Sequence, residues 1–132
     1  MDFRGVPVIE YAPFEDGLPD PGEIVWTWVP YDDDPAQGKD RPVLVVGRDG
    51  DLLLAVPLSS QDHDRDAADE ARWGRHWVDV GTGDWDDEHR PSEARVDRIL
   101  AIDPARVRRT SVALDKAHFD EVAAAVRQHA GG

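Results

Sequence analysis

PVLVVGRDGDLLLAVPL, residues 42–58, decides the fold. Two apolar runs, 42–48 and 52–58, flank RDGD, whose Asp49-Gly50 pair is a hairpin signal between antiparallel strands. Neither run alternates with polar residues, and near-continuous apolarity is the mark of strands buried on both faces. Pro42 suits a strand's first residue, where its missing N–H is not needed by the ladder. It also pushes the residue before it toward extended backbone, so Arg41 enters the strand already straightened. The guanidinium then sits at the rim of the sheet, either as a solvated strand end or as a functional cation.

Further strands lie on either side. GEIVWTWV (22–29) alternates Ile24, Trp26 and Trp28 against Val25, Thr27 and Val29, a strand with its aromatic residues on one face. RHWVDV (75–80) alternates in the same way, and ARVDRILAI (94–102) reads as one strand with Val96, Leu100 and Ile102 together. Arg95 and Asp97 then share its opposite face. The segment 103–109 suits a short helical turn opened by Asp103 with Pro104 at its first position. A helix follows over about 116–129, capped by Asp115 and stapled by Leu114 and Phe119. Its stripe is Phe119, Val122, Val126 and His129, and Gly131 ends it. Strands first and a helix last predict a mainly β chain, a small partly open barrel or sandwich with a C-terminal helix.

At 132 residues the chain is one domain with room for a core. Its lack of cysteine excludes disulfides and thiolate zinc sites. The start MDFRGVPVIEY has neither the basic n-region nor the apolar run of a signal peptide, and no run approaches membrane-spanning length, so a cytoplasmic protein is expected. The net charge of −13 opposes nucleic-acid binding as a sum but not as a distribution. Residues 1–40 hold ten acids and two bases, and residues 62–94 eleven acids and four bases, while 95–132 hold seven bases and five acids. The net acidity thus sits in residues 1–40, which open with an acidic N-terminal arm at 1–20, and in an insertion at about 62–94.

Several side-chain groups have both a bland and a chemical reading. Asp62-His63-Asp64 matches no metal-ligand spacing and reads as a solvated acidic loop, so no metal site is expected. Trp26, Trp28 and Trp77, in strands, read as core. Trp73 and Trp85, in polar loops, are candidates for base stacking or an interface. Ser59, Ser60 and Gln61 end an apolar strand, where they either cap the next loop or bind phosphate beside an arginine. Arg95 and Asp97 are either a surface ion pair or a positioned acid/base pair. No hydrolase-triad signature accompanies Ser59.

The order of four motifs is more specific than any one of them. PGEIVW (21–26), GKDRPVLVV (38–46), VPLSSQ (56–61) and RVDRILAID (95–103) together resemble the PemK/MazF family of type II toxin–antitoxin systems, from about residue 21 to the C-terminal helix. The resemblance implies a small SH3-like barrel with an added helix, usually a homodimer. It implies a cofactor-free, metal-independent endoribonuclease that cuts single-stranded RNA, often mRNA, at short sequences, neutralised by an antitoxin with an acidic tail. In that chemistry the ribose 2′-hydroxyl attacks the adjacent phosphate and leaves a 2′,3′-cyclic phosphate. Carried over residue by residue, Arg41 matches the family's catalytic arginine and Ser59 its phosphate-binding hydroxyl. Arg95 and Asp97 match an Arg-x-Asp pair used for proton transfer and phosphate stabilisation. Gln61, Ser60, Arg98 and Lys39 are the implied RNA contacts. Leu100 stands where many members carry arginine. With the acidic balance, that leaves an alternative: a catalytically weak or inactive barrel that binds protein or RNA.

Overall fold

The apolar pair at 42–58 forms the middle of the sheet. A computed structural model describes residues 2–3, 7–13, 19–31, 34–60 and 76–129. Among these, the strands are β1 (Asp2–Phe3), β2 (Glu23–Pro30), β3 (Gly38–Asp49), β4 (Leu52–Ser59), β5 (Trp77–Gly81), β6 (Ser92–Arg95), β7 (Ile99–Ile102) and β8 (Arg108–Ala113). The helix α1 spans Lys116–His129. The strands run antiparallel in the order β1-β7-β4-β3-β2-β8, and β6 joins the end of β4 and carries β5 beside it. The result is a curled SH3-like half-barrel, mainly β, with one C-terminal helix.

Alternation along β3 and β4 divides the core. Leu44, Val46, Leu54, Val56 and Leu58 join Ile24 and the α1 residues Phe119, Val122 and Val126 in one cluster. Val43, Val45, Leu53 and Ala55 join Val25, Val29, Leu100 and Ile102 in the other. Both hairpin strands are therefore buried on two faces, which is why their sequences lack polar alternation.

The hairpin turn lies one residue later than the Asp-Gly signal indicates. Asp49 pairs with Leu52, so Gly50 and Asp51 are the central residues. Gly50 has φ 59°, the positive angle that a two-residue turn with glycine first requires. A second turn explains PGEIVW. Gly22 adopts φ 99° after Pro21, and Glu23 reaches back to accept the Asp20 N–H at 2.7 Å. That turn sends β2 into the sheet while Gly22 donates to the Val45 carbonyl at 2.7 Å and accepts from the Leu114 N–H at 2.9 Å.

The N-terminal residues are fastened to this frame. β1 pairs with β7. The Glu10 N–H bonds to the Val46 carbonyl at 2.9 Å, and the Tyr11 hydroxyl donates to the Leu114 carbonyl at 2.7 Å. Gly47, at a bulge in β3, lets the chain cross close, since a Cβ there would stand 2.3 Å from the Val8 carbonyl oxygen.

Three expectations need correction. The run 94–102 is two strands: Val96 and Asp97 form a turn because their backbone and side chain bond to His76. Val96 therefore lies in the first cluster, and Leu100 and Ile102 in the second. The stretch after the turn at Pro104–Arg106 is strand β8 from Arg108 onward, paired with β2. Trp28 shares a face with Ile24 and Trp26 but is 49% exposed, because that face leaves the core toward the end of β2. The helix lies where its pattern predicts. Asp115 accepts the His118 N–H at 3.0 Å, and Leu114 and Phe119 are both buried. Gly131, Asp62-His63-Asp64 and Trp73 lie outside the described residues.

Candidate active site

A fork in the sheet makes the site. The β3–β4 ladder ends at Val43 opposite Pro57. Beyond that point β3 stays with β2 as far as Gly38 opposite Pro30. β4 turns away instead, pairing Leu58 and Ser59 with Ala94 and Glu93 of β6. A cavity of about 460 Å³ fills the gap.

Consecutive residues at both strand ends line this gap, Lys39 to Pro42 on β3 and Leu58 to Ser60 at the end of β4, because the two strands part here and open both faces to it. Arg41 is half-buried, Ser59 is buried, and both line the cavity with Lys39 and Ser60. Trp26, Pro42 and Leu58 supply apolar wall. The third wall comes from the loop 82–91, which contributes Asp86 and Arg90, and from Ser92 at the start of β6.

The cavity is locally cationic in an acidic chain. Lys39, Arg41 and Arg90 face two carboxylates, and both of those are engaged: Asp40 pairs with Arg108, and Asp86 with Arg90 at 2.9 Å. Burial opposes the charged form of Asp86, but the Glu88 N–H and the Arg90 guanidinium outweigh it and hold the carboxyl below its usual range. Hydrogen bonding to Asp86 in turn raises Arg90 above its ordinary value. Cations beside serine hydroxyls, in a half-enclosed gap, fit an anionic phosphodiester. Among the described residues, no three His, Asp or Glu side chains converge as metal ligands, and no helix is long and apolar enough to cross a membrane.

Residues 20–130 match the family described as PemK-like, MazF-like toxins of type II toxin–antitoxin systems. The chain belongs to this family. Among solved structures it is similar to the Mycobacterium tuberculosis toxin MazF-mt6, with a TM-score of 0.49 at 17% identity, covering 80% of this chain and 94% of that one. No curated protein sequence matches it.

Within this PemK/MazF-type domain the sequence-expected residues fall into two groups. Arg41, Ser59, Ser60 and Lys39 meet at the fork. Arg95, Asp97 and Arg98 are not part of the cavity lining. Arg95 holds Asp97 Oδ2 through Nε at 3.0 Å and Nη2 at 2.9 Å, and Asp97 Oδ1 accepts the His76 N–H at 2.7 Å. Arg98 is buried and donates to the Pro30 carbonyl at 2.8 Å, tying the start of β7 to the end of β2. Gln61 lies outside the described residues.

Trp85 is neither an exposed stacking surface nor an open interface. It is 5% exposed, its indole N–H donates to Ser92 Oγ at 3.1 Å, and its carbonyl accepts the Trp26 indole N–H at 2.8 Å. Sequence reasoning missed Trp26, Asp86, Arg90 and Ser92. Their one signal is weak: Asp86 and Arg90 stand four apart, but nothing in a polar loop says that it folds back on β4.

Proposed function

We propose that the chain is the endoribonuclease of a type II toxin–antitoxin pair, cutting single-stranded RNA at short sequences without a metal. The observation supporting this is the fork cavity, where Arg41 and Ser59 stand together with Lys39 and Ser60. In this reading the guanidinium of Arg41 and the hydroxyl of Ser59 bind the non-bridging oxygens of the scissile phosphate. They gain strength as negative charge builds on the phosphorane, the condition for lowering a barrier. The ribose 2′-oxygen forms the new bond to phosphorus, the bond to the 5′-oxygen breaks, and the product is a 2′,3′-cyclic phosphate with a free 5′-hydroxyl. Arg41 is also the candidate donor of the proton to the leaving oxygen. Asp97, paired with Arg95, remains the candidate base that takes the proton of the 2′-hydroxyl. The toxin acts as a cytoplasmic homodimer and is neutralised by an antitoxin whose acidic tail competes for the same cations.

The test is digestion of a mixed RNA pool by purified protein in a chelator, with the product ends examined for cyclic phosphate. Wild type should cut and Arg41→Ala should not; induced wild type should arrest growth, and Arg41→Ala should relieve the arrest. Intact RNA with wild-type protein removes the enzymatic reading.

Three observations favour a second reading, a barrel that binds RNA or protein without cutting. Both oxygens of Asp97 are engaged, Arg98 is tied to Pro30, and Leu100 is 2% exposed within the core. RNA bound but uncut, with normal growth on expression and a stable protein partner, would establish it.

A further inference from the structure

The loop 82–91 is built with more fastening than a connection between β5 and β6 requires. The Trp85 ring lies against Gly83, where a Cβ would stand 2.2 Å from it; its indole N–H donates to Ser92 and its carbonyl accepts from the Trp26 indole, which clamps the loop to β6 and β2. Inside the loop, the Asp86 N–H donates to the Gly83 carbonyl at 3.3 Å and the His89 N–H to the Asp86 carbonyl at 2.9 Å. His89 holds φ 51°, the left-handed region that side chains other than glycine adopt at a cost. All of this brings Arg90 to the cavity.

Asp86 is the second half of the device. Its side chain is 8% exposed, and its two oxygens are divided between the Glu88 N–H at 3.0 Å and Arg90 Nε at 2.9 Å. Burying a carboxylate is costly, and an ion pair with a half-exposed arginine returns little stability. The pairing does something else well: it holds the guanidinium by Nε and leaves the terminal amino groups without a hydrogen bond among the described residues. A planar cation held in this way has lost its rotamer freedom in advance and presents two donors to an oxyanion. Arg90 is 53% exposed by side chain and lines the same cavity as Arg41 and Ser59, from a different element.

We infer that Arg90 is a phosphate-binding residue of the fork cavity, contacting the backbone of a single-stranded RNA from the loop wall, with Asp86 as its positioning residue. The inference rests on the RNA-cleaving reading of the same cavity.

The experiment measures binding of a fluorescent, uncleavable 2′-O-methyl RNA oligonucleotide to the full chain over a range of salt concentrations. Arg90→Ala should weaken binding on the order of tenfold, uniformly across sequences, and flatten the log–log salt slope by about 0.7, the share of one phosphate contact on a single strand. Arg90→Lys should restore the slope and part of the affinity, because it keeps the charge and loses the Nε anchor. A wild-type slope and affinity for Arg90→Ala overturns the inference while wild-type cleavage leaves the enzymatic reading intact. Equal loss in the Ala and Lys variants with a lowered melting temperature makes the role structural, and also overturns it. Failure of wild-type protein to bind the RNA removes both.

Discussion

Trp26 donates its indole N–H to the carbonyl of Trp85 at 2.8 Å, and this bond fastens the loop wall of the cavity to the sheet. Trp26→Phe keeps a smaller aromatic ring and removes the donor. The expected loss is at least about 1 kcal/mol, the net worth of one partly buried hydrogen bond, read as a lower urea midpoint with unchanged slope. Trp85→Ala removes a buried ring and its bond to Ser92, and should cost about 3–5 kcal/mol.

Arg41 and Ser59 should separate chemistry from folding. Arg41→Ala should lower single-turnover RNA cleavage by about 100-fold or more, in the range of a lost transition-state donor, with thermal unfolding close to wild type. Ser59→Ala should lower it less, and Ser59→Thr should retain more activity than Ala because the hydroxyl survives. A threonine variant no better than alanine would remove the phosphate-binding role.

Gly22 carries the turn that launches β2. Alanine there meets φ 99° and puts a Cβ 2.7 Å from the Tyr11 ring. Gly22→Ala should destabilise by at least about 1–2 kcal/mol from backbone strain alone. Gly50→Ala, with a positive φ but open space around it, should cost less. Paired urea titrations would show the difference.

The helix cap gives a pH signature. Asp115 is held below its ordinary 3.8 by the His118 N–H first and by the His118 side chain second. The folded chain thus binds this proton more weakly than the unfolded chain. The stabilisation is full above the unfolded value and is lost as pH falls through the lower folded value. Asp115→Ala should cost about 1 kcal/mol near neutrality. Its urea midpoint should converge on wild type in the acid range below 3.8.

What the sequence makes legible follows from how local its causes are. The hairpin and α1 rest on near-neighbour patterns, and both lie where those patterns put them, apart from the one-residue shift of the turn. Arg41 and Ser59 could be paired from sequence because both flank that hairpin. The break at Val96–Asp97 could not, because it depends on His76, twenty-one residues away from the Asp97 carboxylate it meets. β8 was hidden by its arginines, which suit an edge strand bonded to β2 as well as a loop. The loop wall was least legible. Its polar letters read as solvent-facing, while the folded loop buries Trp85 and Asp86 through contacts with β2 and β6.

β4 belongs to two sheets, bonded to β3 and β7 over most of its length and to β6 at its end. The spacing across the fork is therefore held by main-chain ladders and not by the residues that face into it. Replacements at Lys39, Ser60 or Arg90 leave those ladders untouched. The chemistry of the proposed RNA cavity can thus change one exposed side chain at a time, on a frame that does not have to be rebuilt.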